Sequence, residues 1–360
     1  MRAALMSLGS KSSMMTLAAM EKHFDSVDHI DIRNMEVMLG SKEMSMLYEG
    51  KPLNKYDCIY PKGSFRYAPL LRSVTTAFFE NTYIPITPNA FTIGHDKLLT
   101  HLALQYHKIA MPETYVVSST TAARKILNQI HYPIIMKFPH GTQGKGVMFA
   151  ESFAAASSML DAIETLKNPF LIQEYVETEG SDLRVIVVGD RVAAAMKRKA
   201  VFGEKRANIH AGAKGEPVEL DIKTQSIAIK TAKAIGAEIC AVDILETVKG
   251  PSVIEVNLSP GLQGITSVTQ IDVAEKIASY LAEKTRAFME RDKTQETSKI
   301  LADLGVKQTA GNQEQNIIAN LDFRGSRILL PEIITKISKF TENHEVIIKA
   351  KKGSITVEKG

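Results

Sequence analysis

The feature that most constrains the fold is a change of pattern at Asp182. Two apolar runs, Leu183–Val188 and Val192–Lys199, flank a tight Gly189-Asp190 turn. Strand-like runs about so short a connection pair as an antiparallel hairpin. Upstream, strand-like and helix-like runs alternate. Arg2–Leu8, His29–Ile32, Cys58–Tyr60 and Tyr83–Ile86 read as strands, with helices near Ser13–His23 and Tyr67–Asn81. That alternation predicts a small parallel sheet covered by helices. From Thr92, a plausible helix cap, a second unit begins, with Lys97 about one turn inside the helix that follows. Strands are expected at Thr114–Val117, Pro133–Pro139 and Phe170–Tyr175, and a helix near Thr120–His131. After the hairpin come the helix Thr224–Ile235, the strands Ala241–Leu245 and Ser252–Asn257, and a helix over Asp272–Met289. The fold class is α/β, with an antiparallel part.

Composition narrows the function classes. The 360 residues, 44% of them hydrophobic, suffice for two or three packed units. Of the formal net charge of +4, most lies in residues 291–360, which hold 12 Lys/Arg against 9 Asp/Glu, leaving 32 against 31 before them. A near-neutral body argues against nucleic acid as its partner, and the basic tail is only a weak hint of one. Cys58 and Cys240 lack metal-ligand spacing and read as buried, reduced thiols. Met1–Leu8 is too short for a signal segment, and no run approaches the roughly 20 apolar residues of a membrane helix. A cytoplasmic protein with no membrane partner is expected. Residues 291–316 are polar and read as a linker or loose helix. A short helix, Pro331–Phe340, and a hairpin pairing Glu345–Ala350 with Ile355–Glu358 across Lys352-Gly353 follow.

Three segments carry chemistry. Lys137 ends a strand and is followed by a loop from Gly141 through Gln143 and Gly144 to Gly146. Glycines let backbone N–H groups approach phosphates without Cβ interference, and a lysine at a strand end supplies charge. The order is not that of a Walker A loop, and alone it is matched by a plain turn. Next, Gln173-Glu174-Tyr175-Val176 ends a strand before Glu177, Glu179 and Asp182. It could offer an adenine edge and a ribose carboxylate, or be a solvated acidic loop. The third is more specific. Asp243 is a carboxylate inside an apolar strand, costly unless paired or coordinated. Glu255 and Asn257, at i and i+2, share one strand face. Such oxygens suit magnesium. Between them lie the basic residues Lys197, Arg198, Lys199, Lys205 and Arg206, then Asn208.

In this order, Lys97, Lys137 with its glycine loop, Gln173-Glu174-Tyr175, Asp182-Leu-Arg184, Arg206-Ala-Asn208, Asp243 and Glu255-Val-Asn257-Leu-Ser-Pro-Gly261 resemble the ATP-grasp superfamily. More narrowly the chain resembles the RimK-like alpha-L-glutamate ligases, over about residues 1–289. The resemblance implies an ATP-grasp fold with a Rossmann-like pre-ATP-grasp domain at 1–90. The ATP-grasp domain would span 91–289, with a lid at about 110–178, before a linker at 290–316 and a small C-terminal α/β module at 317–360. It implies ATP as substrate and two Mg2+ ions, for which Mn2+ could stand in. Lys97 and Lys137 would contact phosphates, with Gly141, Gln143, Gly144 and Gly146 closing over them. Glu174, Tyr175 and Val176 would hold adenine and Asp182 the ribose side. Asp243, Glu255 and Asn257 would be the metal ligands, with Glu255 bridging. Arg206 and Asn208 would serve the acyl-phosphate site, and Arg184 and Arg198 are candidates for orienting the carboxylate substrate. Ala211 stands where many relatives place an arginine, which leaves acceptor binding open.

The implied reaction converts a carboxylate to an acyl phosphate and then to an amide by attack of an amine. The added amino acid would be glutamate, and the acceptor, amine or carboxylate, a small molecule, a carrier or a protein. A homo-oligomer is a further implication. The alternatives are a phosphoryl-transfer enzyme on the same scaffold, or an ATP-binding module whose basic tail holds a macromolecular partner.

Overall fold

The computed structural model describes residues 1–41, 44–139, 146–164, 169–200, 214–303, 322–325, 327–329, 346–351 and 354–359. The chain divides into two compact units, Met1–Gln295 and Glu296–Gly360. The first opens with β1 (Arg2–Ser7), α1 (Lys11–Met20) and β2 (Ser26–Asp31). Ala3 to Met6 are fully buried, as a central parallel strand requires. An antiparallel meander of β3 (Met35–Leu39), β4 (Met44–Tyr48) and β5 (Lys51–Pro52) intervenes. β6 (Cys58–Pro61) then lies on the other side of β1, so the sheet runs β2-β1-β6, all parallel. α2 (Ala68–Phe78) follows. The expected strand Tyr83–Ile86 makes only isolated bridges, Cys58 to Tyr83 and Ile86 to Ala237. Pro85 has no N–H to continue a ladder.

α3 (Pro88–Gly94) and α4 (Lys97–Tyr106) come next. Thr92 is inside α3 and caps nothing. The cap of α4 is Asp96, whose Oδ1 accepts from the N–H groups of Leu98 and Leu99 at 2.8 and 3.1 Å. Lys97 therefore opens α4. A second sheet holds β7 (Thr114–Val117), β8 (Ile134–Lys137), β9 (Val147–Ala150) and β10 (Phe170–Glu174), with α5 (Thr120–Leu127) after β7 and α6 (Phe153–Glu164) after β9. Its order is β7-β10-β8-β9, antiparallel throughout. Ile134, Met136, Phe170 and Ile172 form a core with Leu127 and Leu160 from the two helices, separate from the main core. β9 and α6 are not evident from the sequence pattern.

The third sheet confirms the hairpin. β11 (Ser181–Val188) and β12 (Arg191–Lys199) join through Gly189, whose φ of +67° favours glycine. A Cβ there would also lie 2.4 Å from the Tyr280 ring. With β13 (Lys214–Pro217), β14 (Ile239–Thr247) and β15 (Gly250–Asn257), the order is β13-β12-β11-β14-β15. α7 (Ile222–Ile235) packs against β11, β12, β14 and β15, and α8 (Gln263–Thr269) follows β15. The last described helix, α9 (Val273–Asp303), runs well past the end expected at Met289. Its Glu, Lys, Gln and Arg residues are good helix formers, so of the two readings of this polar stretch the helix holds over 291–303.

In the second unit, β16 (Asp322–Arg324) pairs with β17 (Arg327–Leu329), and β18 (Val346–Lys351) with β19 (Ser354–Lys359), as antiparallel hairpins. The latter is the expected terminal hairpin. The expected helix Pro331–Phe340 lies outside the described residues. No described helix is long and apolar enough to cross a membrane.

Candidate active site

A cleft of about 660 Å³ in the first unit is lined by the β7–β10 and β11–β15 sheets and by the carboxyl ends of the parallel one. Strand periodicity decides which side chains reach it. In the β7–β10 sheet, Ile134, Met136, Phe170 and Ile172 take the core face. Ile135, Lys137 and Gln173 are left for the cleft. In the β11–β15 sheet, Asp182 faces Arg198 across the ladder, Arg184 faces Asp243, and Asp243 faces Glu255. Two successive same-face rungs thus carry this row of charges, Arg198 with Asp182 on one and Arg184, Asp243 and Glu255 on the next. Beyond it the β14–β15 register shifts: Ile244 pairs with Val253, leaving Ile254 as the extra residue of a bulge beside Glu255. Bulges of this kind re-aim side chains and recur next to active sites.

The row forms a closed charge cluster. Arg184 donates to both oxygens of Asp243, at 2.9 and 2.8 Å. Arg198 donates to both oxygens of Asp182, at 2.6 and 2.7 Å, and its Nη2 lies 3.0 Å from Asp243. Asp182, Arg198 and Asp243 are buried. Burial pushes the Asp243 carboxyl up, but the Arg184 and Arg198 charges outweigh it and hold it low, at about 2. Asp182 moves the other way. Burial and the Asp243 charge push it up to about 6 against the pull of Arg198.

On the other wall, Lys137 donates to Gln173 Oε1 at 2.6 Å. The Gln173 amide donates to Thr114 Oγ1 at 2.7 Å and meets His101 Nε2 at 3.0 Å. His101 Nδ1 is 2.6 Å from the Lys97 carbonyl oxygen. A carbonyl only accepts, so Nδ1 carries the proton and Nε2 accepts from Gln173. Burial pushes His101 down to about 4, which keeps the ring neutral. Burial also pushes the Lys137 ammonium down to about 8, with Glu255 opposing and Lys97 assisting. Lys97 reaches toward Glu255, Nζ to Oε1 at 3.8 Å. Neither His101 nor the network role of Gln173 was read from the sequence. The i, i+4 spacing of Lys97 and His101 was the available signal.

Glu174, Tyr175 and Val176 also line the cleft. Glu174 is exposed, and its Oε1 accepts from the Glu113 N–H at 3.0 Å. Tyr175 packs edge-on to Phe149, centroids 5.0 Å apart. Gly146 has φ +77°, and its carbonyl accepts from the Phe138 N–H at 3.3 Å. Gly141, Gln143, Gly144, Arg206 and Asn208 lie outside the described residues.

Asp243, Glu255 and Asn257 are hard oxygen donors of the kind magnesium takes. Three N–H groups occupy Asp243, whose ionised carboxylate has about four acceptor sites, so one remains. Asn257 Oδ1 accepts one bond, from the Ser259 N–H at 3.0 Å, and keeps a second lone pair. Among the described residues no three His, Cys, Asp or Glu side chains could hold a metal. A cation here would need Asn257 and oxygens from a ligand, and the donor set fits that arrangement.

Comparison with known proteins agrees with this geometry. A profile of the RimK-like ATP-grasp domain matches residues 94–281. A protein of Xanthomonas euvesicatoria named "Probable alpha-L-glutamate ligase" is 33% identical over 294 residues, covering 79% of this chain and 99% of its own. Another of the same name, from Thioalkalivibrio sulfidiphilus, is 34% identical over 291 residues, covering 79% and 97%. Among solved structures, the ATP-grasp ligase PsnB, complexed with a phosphomimetic variant of its minimal precursor, Mg and ADP, aligns with a TM-score of 0.60 at 18% identity. That alignment covers 79% of this chain and 98% of PsnB, and it speaks to the fold alone. With its fold, its cleft and these relatives in agreement, the chain belongs to the RimK-like ATP-grasp family.

Proposed function

We propose that the cleft is the active site of an ATP- and magnesium-dependent ligase that joins a carboxylate to an amine through an acyl phosphate, with glutamate as the added amino acid. The observation that carries this reading is the meeting of a cationic wall, Lys97 and Lys137, with a row of oxygen donors, Asp243, Glu255 and Asn257. A polyphosphate needs the first, and a cation that bridges its oxygens needs the second. The names of the curated relatives support glutamate, and the Mg and ADP held by PsnB support the metal and the nucleotide.

In this reading Lys97 and Lys137 balance phosphate charge. Gln173 and His101 hold the Lys137 ammonium toward the cleft. Glu174, Tyr175 and Val176 take the adenine, and Asp182 the ribose side. Gly141, Gln143, Gly144 and Gly146 cover the phosphates and exclude water, which would hydrolyse an acyl phosphate. Asp243, Glu255 and Asn257 would hold the metal, which when bound would supply Lewis-acid neutralisation of negative charge. Arg184, Arg198, Arg206 and Asn208 stabilise the transferring group and orient the carboxylate. A substrate carboxylate oxygen attacks the γ-phosphorus, the bond to the β–γ bridging oxygen breaks, and ADP leaves. The amine nitrogen then attacks the acyl carbon, phosphate leaves, and the nitrogen loses a proton to give the amide.

The test is ADP release with MgATP and a panel of amino acids, with and without an acceptor fraction, beside an Asp243→Ala control. Turnover that requires glutamate, yields an amide and vanishes in the control is expected. ADP release without an amide product would favour simple phosphoryl transfer. Bound ATP without turnover under any condition would sink the ligase reading.

A further inference from the structure

Lys62 stands apart from every cation discussed so far. It directly follows β6, is 3% exposed, and lines the cleft. Its Nζ has no hydrogen-bond partner among the described residues. The ammonium lies over the Tyr60 ring, 5.6 Å from its centroid. An ammonium withdrawn from water without an anion is costly, and such a group is retained where a ligand supplies the missing charge. Burial pushes it down to about 8, the direction that a bound anion would reverse.

Its position in the sheet is the second, independent observation. In the order β2-β1-β6, β1 leads through α1 to β2 on one side, while β6 lies on the other. The gap between the carboxyl ends of β1 and β6 is therefore the switch point of this parallel sheet, where open α/β sheets take ligands. The N-terminus of α1 opens onto the same gap, with Ser10, Ser12 and Ser13 in the cleft lining. Its backbone dipole favours negative charge. Two hydrogen bonds tie this corner to the loop that follows Asn257. The Gly63 N–H donates to Ser259 Oγ at 2.8 Å, and the Leu262 N–H donates to Ser12 Oγ at 2.8 Å.

We propose that Lys62 and the N-terminus of α1 form a carboxylate subsite of the cleft, which holds a substrate carboxylate other than the one that is phosphorylated. The inference rests on the ligase reading, since it assigns the subsite to that reaction's substrates. A ligase that adds glutamate must bind carboxylates that it does not activate. The phosphate and metal positions cannot serve them without competing with ATP. The flexible stem of Lys62 lets its ammonium turn onto such a group, and α1 adds directed backbone N–H groups. The chemistry is the same whether the carboxylate belongs to the amino acid or to the acceptor.

The test is calorimetric titration of the full chain, saturated with MgADP, with L-glutamate and separately with the dipeptide Glu-Glu. Wild type, Lys62→Met and Lys62→Arg are compared. Lys62→Met removes an unpaired buried charge, so its melting temperature should be equal to or above that of wild type. The expected result is a loss of roughly tenfold or more in carboxylate affinity for Lys62→Met, the size of a charge-assisted hydrogen bond, largely restored in Lys62→Arg. MgADP affinity should be unchanged in all three. A loss confined to glutamate assigns the subsite to the amino acid, and a loss confined to the dipeptide assigns it to the acceptor. If both ligands bind Lys62→Met as they bind wild type, or if neither binds wild type, the subsite is overturned. Failure of MgADP to bind wild type would instead count against the ligase reading.

Discussion

The two walls of the cleft handle buried charge in opposite ways. On the β11–β15 wall, two arginines face two aspartates, and each guanidinium is forked onto a carboxylate. Within that cluster the charges cancel one another before any ligand arrives. On the β7–β10 wall, Lys137 is held by a neutral amide, which is anchored by a neutral imidazole and a hydroxyl. Its positive charge is oriented but not cancelled. The contrast separates positioning from attraction: the first wall can present atoms with precision, and the second draws in an anion. In the proposed reading the second takes the triphosphate and the first the metal and acyl group.

The largest effect should come from breaking the self-cancelling cluster. Asp243→Ala leaves the partly buried Arg184 without its carboxylate and takes one contact from Arg198; it should cost about 3–5 kcal/mol of stability, read by denaturant unfolding, and abolish ADP release. Stability close to that of wild type would mean that water or another acid already compensates the arginines. Next is the amide at the centre of the other wall. Gln173→Leu leaves Lys137, His101 and Thr114 without their shared partner. It should cost roughly 1–3 kcal/mol and weaken nucleotide binding, measured by melting with and without MgADP.

A third experiment tests whether the second wall works through its charge. Lys137 has a folded value near 8 against an ordinary 10.5. Below about 8 the native protein bears the cost of a desolvated ammonium. From there to 10.5 the unfolded chain holds the extra proton, so rising pH favours folding in that window. Nucleotide affinity should run the other way, falling above about pH 8 by at most about tenfold per pH unit. Lys137→Met should flatten that profile, and an unaltered profile would assign the titration to another group. The smallest effect is expected at the contact between the walls. Lys97 and Glu255 are 3.8 Å apart with Glu255 half exposed, so Lys97→Ala should change stability by less than about 0.5 kcal/mol. Its MgADP affinity should nevertheless fall, and a large stability loss would show that Lys97 is structural.

Much of this architecture is legible in local pattern. The Gly189-Asp190 turn, the terminal hairpin and the first strand, helix and strand depend on neighbours a few positions apart and appear as expected, whereas the meander β3–β5 is not evident from the sequence pattern. Local signals failed where a competing local residue or a tertiary contact decided. Pro85 removed a strand, Asp96 took the cap expected at Thr92, and helix-forming polar residues carried α9 past Met289. The sequence by itself determined which residue types could do chemistry. An aspartate in an apolar strand, an i, i+2 pair of oxygens and a lysine at a strand end are visible because burial makes polar groups expensive. Only the tertiary structure decided their partners: that Arg184 forks onto Asp243, that Gln173 orients Lys137, and that Lys62 is buried without an anion among the described residues. The pairings around Asp243 and Gln173 join residues between 36 and 72 positions apart, and sheet register, which sets them, is a property of the assembled core rather than of any segment.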